Sequence, residues 1–499
     1  MNATELTPDQ PRLIRRLGIL GLAATGICSM LGASINVVPF MIQRNVEGIG
    51  PYVLPAFLLA AIPALLAAFA YSILASAMPR AGGSYIYASR GLNPYLGFIA
   101  SFSQWFGLSI VIGVIAYIIV PFIRDIAIAL DWSSMSTTLE IGWVRVSLAL
   151  ALIWLFVYIN IRGAKAYEGT LIPMMFLMFA LGSIVIVAGF YFNQSDFTTA
   201  LLENESRAVS ATVHADFNWK TFLSAAALLF SSFIGFDSIA QAGGEAKNPS
   251  RSLPIAICLA ITIVGTFYFL FTSAVYHAVP WSFVAQEALT KDISAPGMLS
   301  YLLPTGLSVA ILLGAAIALI NDLPAMLLSV SRLMFAWAKD GVFPRGVSKV
   351  HNKFHTPHIA LIMSGVIASI GVMGSHFAGD FFLGIDIMVT AMMVNFLLMC
   401  VTLIALPIIN PDLSNEVKVG KRRPLQLVIG WSGVIILIFF LIIHTFKDLS
   451  SDVDAWYFHS TWIWLIVMGL GSLIYVTQLR SMKKRGVNTT LLFKNLPKE

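Results

Sequence analysis

The amino acid composition indicates a membrane protein. The chain has 499 residues, of which 58% are hydrophobic and 11% are charged, and its formal net charge is +6. Because soluble domains carry roughly 25% charged residues, this composition excludes an ordinary water-soluble fold. The basic residues lie between apolar runs and never form one stripe, so we predict no nucleic-acid partner.

Apolar runs long enough to cross a bilayer recur along the chain. A helix needs roughly 20 mostly apolar residues to cross about 30 Å of hydrocarbon. The sequence therefore predicts an all-α polytopic membrane protein embedded in a lipid bilayer. Its twelve transmembrane helices are expected at residues 17–43, 52–77, 95–123, 146–161, 170–192, 222–246, 255–279, 307–338, 359–375, 381–409, 425–444 and 456–479.

The positions of Lys and Arg predict the orientation in the membrane, because basic loops stay on the cytoplasmic side. If both termini are inside, most of the 31 Lys and Arg residues fall in the inner segments, whereas the outer loops are acidic. The prediction is a multi-pass protein of the cell membrane with both termini in the cytoplasm.

Two predicted spans contain residues that interrupt a helix. The first contains Gly26, Gly32 and Pro39, and the sixth contains Gly235 followed by Asp237. Glycine in a helix interior costs about 1 kcal/mol relative to alanine, and proline removes a backbone donor. We therefore expect both spans to be discontinuous, with close helix packing as the alternative role of the glycines.

The two interruptions lie five spans apart, as an inverted five-plus-five repeat followed by two extra helices predicts. Unwound backbone in lipid is tolerated only where it is buried or lines a polar cavity. Freed N–H groups can hold a carboxylate, and freed carbonyls can hold an ammonium group or a cation. Because an amino acid presents both groups, we expect the solute to be an amino acid or a related amine.

This repeat predicts the domain organisation. Residues 17–409 form a ten-helix transport core, preceded by a cytoplasmic segment over residues 1–16. Residues 410–424 form a cytoplasmic loop, residues 425–479 two accessory transmembrane helices, and residues 480–499 a basic cytoplasmic tail.

Several motifs resemble those of the amino acid/polyamine/organocation permease superfamily. The glycine-rich stretch of span one is similar to the unwound segment of that superfamily, although its usual Gly-Ser-Gly reads Gly32-Ala33-Ser34 here. The other motifs lie after span two, at the inner exit of span six and at the end of span eight, over residues 79–85, 235–251 and 331–344.

The resemblance implies alternating access, in which spans one, two, six and seven move against the rest. It also implies a substrate site at the two interruptions. The carboxylate of the substrate would lie near Gly32, Ala33, Ser34 and Ile35. Its amino group would lie near Phe233, Ile234, Gly235 and Phe236, with Phe236 as a thin gate; packing is the alternative role of these aromatic side chains.

Two acidic residues lie at membrane depth, where such groups are costly and are functional candidates. Asp237 caps the half-helix that follows the second interruption, contacts a cationic group of the substrate, or exchanges a proton. Asp322, followed by Pro324, either satisfies a helix kink or acts as a proton or cation site.

The ion that drives transport is left open by the sequence. Proton-coupled relatives often place a lysine in span five, where this chain has Met175, and sodium coupling would need hydroxyls where Pro324 and Ala325 stand. Proton coupling through Asp322 and exchange without an ion therefore both remain alternatives.

The predicted function is secondary active transport of an amino acid by alternating access. The alternatives are a permease for a polyamine or another organic amine, and a nutrient sensor that keeps the fold without transporting. We expect no enzymatic activity, because the sequence shows neither a polar catalytic cluster nor a pair of His at helical offset. We also expect no cofactor and no metal; Cys28, Cys258 and Cys400 show neither paired spacing nor a nearby His.

Overall fold

The chain is helical, as the sequence predicts. The computed structural model describes residues 13–209, 216–378, 382–452 and 455–497. Within these ranges it has no β-strand, and 82% of the chain is helix. The predicted all-α class is confirmed.

The helices fall into three consecutive groups along the chain: those within and between spans one to five, those within and between spans six to ten, and the remainder. Spans one to five comprise α1 (Ile19–Leu31), α2 (Ala33–Asn36), α3 (Val38–Asn45), α4 (Val53–Ala77), α5 (Gly83–Gly91), α6 (Pro94–Ala129), α7 (Ser133–Glu140), α8 (Gly142–Ile161) and α9 (Ala164–Tyr191). Spans six to ten comprise α10 (Gln194–Glu205), α11 (Trp219–Leu229), α12 (Asp237–Gln241), α13 (Pro249–Ala278), α14 (Trp281–Thr290), α15 (Ala295–Leu299), α16 (Thr305–Asp340), α17 (His358–Ala378) and α18 (Phe382–Ile409). The remainder comprises α19 (Pro411–Asn415), α20 (Arg423–Ser450), α21 (Ser460–Lys484) and α22 (Thr489–Lys494).

Eleven segments of the described residues are long and apolar enough to cross a membrane. The short apolar helix α1, continued by α2 and α3, supplies the remaining span. The predicted count of twelve is therefore confirmed, and the chain is a multi-pass membrane protein.

The first span is broken at Gly32, as predicted. α1 ends at Leu31 and α2 begins at Ala33, so Gly32 lies between two helical segments with φ −63° and ψ −107°. A second irregular residue, Val37, separates α2 from α3. The side chain of Asn36 donates to the carbonyl of Gly32 at 3.3 Å, which satisfies one of the backbone groups that the break releases.

The sixth span is broken at Gly235. A 3₁₀ turn over Phe230–Phe233 follows α11, Ile234 is extended, and α12 begins at Asp237. Gly235 has φ +139°, which only glycine adopts readily, and a Cβ there would lie 2.4 Å from the carbonyl oxygen of Ser29. The two breaks therefore touch through their main chains.

Both described ends of the chain lie on one face of the bundle, which we call the terminal face. The N–H groups of Arg16 and Leu17 donate to the carbonyl of Glu245 at 2.8 and 2.9 Å. On the same face Ala81 forms a backbone bridge with Ala242. The neighbouring Arg80 donates to the carbonyl of Pro497 at 3.0 Å.

The segment after span two forms a helix. The Gly-Gly pair at residues 82–83 starts α5, with Gly82 at φ +74°. A Cβ on Gly83 would lie 2.6 Å from the carbonyl oxygen of Ala240. Gly83 is therefore needed for close contact between α5 and α12.

Close packing of α6 against α17 depends on two opposed glycines. A Cβ on Gly371 would lie 2.5 Å from the carbonyl oxygen of Ile110, and the α-carbon of Gly113 is 3.3 Å from the same position. Small residues of this kind let membrane helices approach closely.

We expect Gly371→Val to destabilise the fold by about 1–3 kcal/mol, because the added methyl groups force α6 and α17 apart. Gly374→Val on the same helix is the matched control, since no atom lies within 4 Å of its added Cβ. The measurement is the midpoint temperature of unfolding of each purified variant. Equal midpoints for the two variants would contradict the packing argument.

Candidate solute-binding site

A cavity lies between the two broken spans and the helices α6, α16 and α18. Its empty volume, opening included, is about 410 Å³. We call it the solute cavity. Its lining residues are Ser29, Ser34, Val38, Val111, Val114, Ile115, Ile118, Ser231, Ile234, Asp322, Met326, Ile385 and Met388.

The polar groups of the cavity come from the broken spans and from α16. Ser29 and Ser34 flank the first break, Ser231 precedes the second, and Asp322 is the acidic residue of α16. The side chains supplied by α6 and α18 are aliphatic residues and methionine. One side of the cavity therefore offers hydroxyl and carboxylate oxygens, and the other offers only apolar surface.

The carboxylate of Asp322 lies directly against the first break. A Cβ built on Gly32 would lie 1.7 Å from Oδ2 of Asp322, so only glycine leaves room for this contact. The residue is 2% exposed, and its neighbour Asn321 donates to Sγ of Cys28 at 2.9 Å. The long helix α16 is thus fixed beside α1 at the level of the cavity.

The predicted site residues of the first break do not all line the solute cavity. Ser34 lines the solute cavity, but Ile35 faces a second cavity with Leu31 and Asn36. Ala33 begins α2, and its side chain lies outside the described part of the structure.

The predicted residues of the second break likewise do not all line the solute cavity. Ile234 lines the solute cavity, whereas Phe233 packs its ring 5.0 Å from Phe57. Phe236 is fully buried, with ring centroids 5.7 Å from Tyr71 and 5.0 Å from Phe396. This position corresponds to the packing role that was the alternative to a thin gate.

Asp237 holds the second break together. Its Oδ1 accepts from the N–H of Gly235 at 3.0 Å, and its Oδ2 accepts from Nε2 of Gln104. Oε1 of Gln104 in turn accepts from the hydroxyl of Ser84 at 2.7 Å and from Gln241 at 3.3 Å. This buried network matches the structural role that the sequence offered for Asp237.

Buried polar contacts close the cavity towards the terminal face. The hydroxyls of Ser29 and Ser238 are 3.1 Å apart. The carboxylate of Glu245, which follows α12, accepts from Arg332 of α16 at 2.5 and 3.1 Å, with both side chains nearly inaccessible. A solute in the cavity is therefore separated from the terminal face by paired, buried groups.

The cavity extends towards the opposite face. Asn410, at the end of α18, donates to the carbonyl of Arg90 beside the terminal face, so Ile385 near the start of α18 lies far from it. Ile118 lies in the second half of α6, which also starts near the terminal face.

A larger charged cavity lies at that opposite face. It has an empty volume of about 990 Å³ and is lined by Arg124, Glu287, Lys291 and Asp292 among others. Burial of Glu287 raises its pKa, but hydrogen bonds from Arg207 and Lys291 outweigh this effect, so the pKa lies below its usual value. Charges of both signs therefore surround this cavity.

Several cavity residues were missed by the sequence reading. Ser231 had a usable signal, since Ser231 and Ser232 interrupt an apolar run just before Gly235. The aliphatic residues of α6 and α18 had none, because each lies in a span that is apolar on all sides.

The fold and this cavity define a class of protein: an α-helical membrane transporter with two broken spans around a small central site. Residues 17–471 match the sequence model of the Amino acid permease family. The chain belongs to this family, which confirms the resemblance to the amino acid/polyamine/organocation permease superfamily.

Curated relatives of the chain are transporters. It is 25% identical to a branched-chain amino acid permease of Bacillus subtilis, over 73% of this chain and 76% of that one. It is 23% identical to a methylthioribose transporter of the same organism, over 93% of each chain. It is 25% identical to vacuolar cationic amino acid transporter 4 of Arabidopsis thaliana, over 72% of this chain and 58% of that one.

We predict that the carboxylate at position 237 and the amide at position 104 can exchange positions. Asp237→Asn turns a donor towards the donor of Gln104 and should destabilise the fold, whereas adding Gln104→Glu should restore a matched pair. The expected coupling, from unfolding midpoints of the single and double variants, is about 0.6–1.7 kcal/mol.

The control for this cycle is Gln426→Glu, because Gln426 bonds to Arg423 and to the carbonyl of Gly420 and shares no partner with Asp237 or Gln104. Its combination with Asp237→Asn should be additive. Strict additivity of the Asp237 and Gln104 pair would show that their contact does not hold the second break.

Proposed function

We propose that the chain is a secondary active transporter that carries an amino acid, or a related amine, through the solute cavity by alternating access. The observation that carries this proposal is the meeting of both broken spans at one small cavity that is closed towards the terminal face. Membership of the Amino acid permease family and the names of the relatives support the same function.

The released main chain at the two breaks suits an ammonium group. In lipid, an unpaired carbonyl costs several kcal/mol, so carbonyls at a break gain free energy from any cation that reaches them. The hydroxyls of Ser29, Ser34 and Ser231 add three further acceptors. Van der Waals contact with the aliphatic residues of α6 and α18 would hold the apolar part of the solute.

The moving part in this proposal contains spans one, two, six and seven, and the static part contains α6, α16 and α18. Two contacts join the parts next to the site, Glu245 with Arg332 and Asp237 with Gln104. Opening towards the terminal face requires both to separate. Both pairs are buried in the closed form, so separating them without new partners would leave charged or polar groups uncompensated at the site.

We also propose the cell membrane as the location, with the terminal face in the cytoplasm. The excess of Lys and Arg on the segments of that face supports this orientation. Accessibility of single cysteines in intact cells tests it.

Asp322 is the residue on which the proposal for ion coupling rests. Met175 is an apolar, buried residue of α9, and Ala325 of α16 carries no hydroxyl, so neither supplies a lysine or a sodium ligand. Proton coupling through Asp322 and ion-independent exchange predict different responses to a pH gradient imposed on proteoliposomes. Uptake that becomes faster with the gradient favours proton coupling, and uptake that the gradient leaves unchanged favours ion-independent exchange.

We expect Ser34→Leu to reduce uptake into proteoliposomes by at least about a hundredfold, because the larger side chain fills the cavity beside the first break. Ser183→Leu is the matched control, since Ser183 is an exposed residue of α9 away from the cavity. It should retain wild-type uptake.

Unfolding midpoints of both variants establish that they are folded. Normal uptake by folded Ser34→Leu would contradict the site. Binding of solute by the wild type without any flux would instead favour the nutrient sensor.

A further inference from the structure

Within the function proposed above, we infer that the solute of this cavity is a monoamine without a carboxylate group. Asp322 of α16 occupies the position at Gly32 where the carboxylate of an amino acid would lie. The inference names the solute class of the same site and therefore rests on the proposed function.

The first observation is steric. Oδ2 of Asp322 lies so close to Gly32 that a single Cβ there would be 1.7 Å from it. An amino acid whose carboxylate bound on this side of Gly32 would have to displace the carboxylate of Asp322. The chain thus provides from its own α16 the carboxylate that the solute would otherwise bring.

The second observation is the charge of the cavity. Among the described residues that line it, Asp322 is the only charged side chain. Arg332 is the nearest basic residue along α16 towards the terminal face, and it forms an ion pair with Glu245. A solute carboxylate would lie against a like charge in a poorly hydrated site, whereas a solute ammonium would lie against an opposite one.

The third observation is the apolar side of the cavity. Val114 and Ile118 of α6 and Ile385 of α18 line the cavity with side chains that carry no polar atom. A second ammonium at that end would lose its hydration without gaining an acceptor. The cavity therefore selects one ammonium group joined to an apolar body, and it disfavours a polyamine.

The test compares amines with the amino acids from which they differ by one carboxylate. Proteoliposomes of the full chain are assayed by counterflow with isoamylamine and leucine, phenethylamine and phenylalanine, and cadaverine and lysine. We expect a monoamine to be carried at least about tenfold faster than its amino acid at equal concentration, a difference worth about 1.4 kcal/mol. Cadaverine should be carried more slowly than either monoamine.

Each other outcome overturns a defined part of the account. Leucine or phenylalanine carried faster than its amine overturns the inference and leaves the proposed function intact. Preference for cadaverine overturns the restriction to one ammonium group. Absence of counterflow with all six solutes counts against the inference and the proposed function together.

Asp322→Asn tests the residue itself, because it keeps the shape of the side chain and removes its charge. The ratio of isoamylamine to leucine flux should fall by at least about tenfold. Asp412→Asn, an exposed acidic residue paired with Lys494, is the control for loss of a negative charge and should leave the ratio unchanged. An unchanged ratio in Asp322→Asn overturns the assignment, and the wild-type ratio decides the inference if that variant does not fold.

Discussion

Hydrogen-bonding groups of the main chain cannot be left without partners inside a bilayer, and this constraint governs the structure around both broken spans. At the first break Tyr268 donates to the carbonyl of Met30, and Asn36 donates to that of Gly32. At the second break Asp237 accepts from the N–H of Gly235. Side chains next to each break, together with Tyr268 of α13, therefore stabilise the breaks, and a helix that opened at these places without such partners would cost several kcal/mol for each unpaired group.

The same constraint explains why the breaks and the cavity coincide. An opened helix needs neighbours that are polar and close, and glycine is the residue that lets them approach, as Gly235 does against Ser29. The space left beside the polar neighbours becomes the solute cavity. Because Asp237 and Glu245 bond to Gln104 of α6 and Arg332 of α16, contacts at and after the second break also close the cavity towards the terminal face. Breaking these contacts and opening the cavity would be one event.

The sequence predicted what depends on local chemistry. Glycine at positions 32 and 235, with their polar neighbours, was sufficient to locate both breaks, and the length of apolar runs was sufficient to locate the spans. The faces of the spans were not predictable, because a helix that is apolar on all sides carries no periodic signal. Phe236 accordingly packs on Phe396, away from the cavity lining, and Val114 of α6 lines the cavity. The approach of Asp322 to Gly32 joins residues from distant parts of the chain, so only the folded structure reveals it.

The central claim is that the cavity between the two breaks holds the solute during transport. Its most direct test is protection of Ser231→Cys from a small, membrane-impermeant thiol reagent. For this test Cys258, which is partly exposed, is replaced by Ala. Cys28 and Cys400 are kept because they are buried. The account predicts that the cysteine reacts, and that a saturating concentration of a transported solute slows the reaction while leaving a cysteine at exposed position 134 of α7, outside the spans, unaffected. Labelling at the same rate with and without transported solute would contradict it.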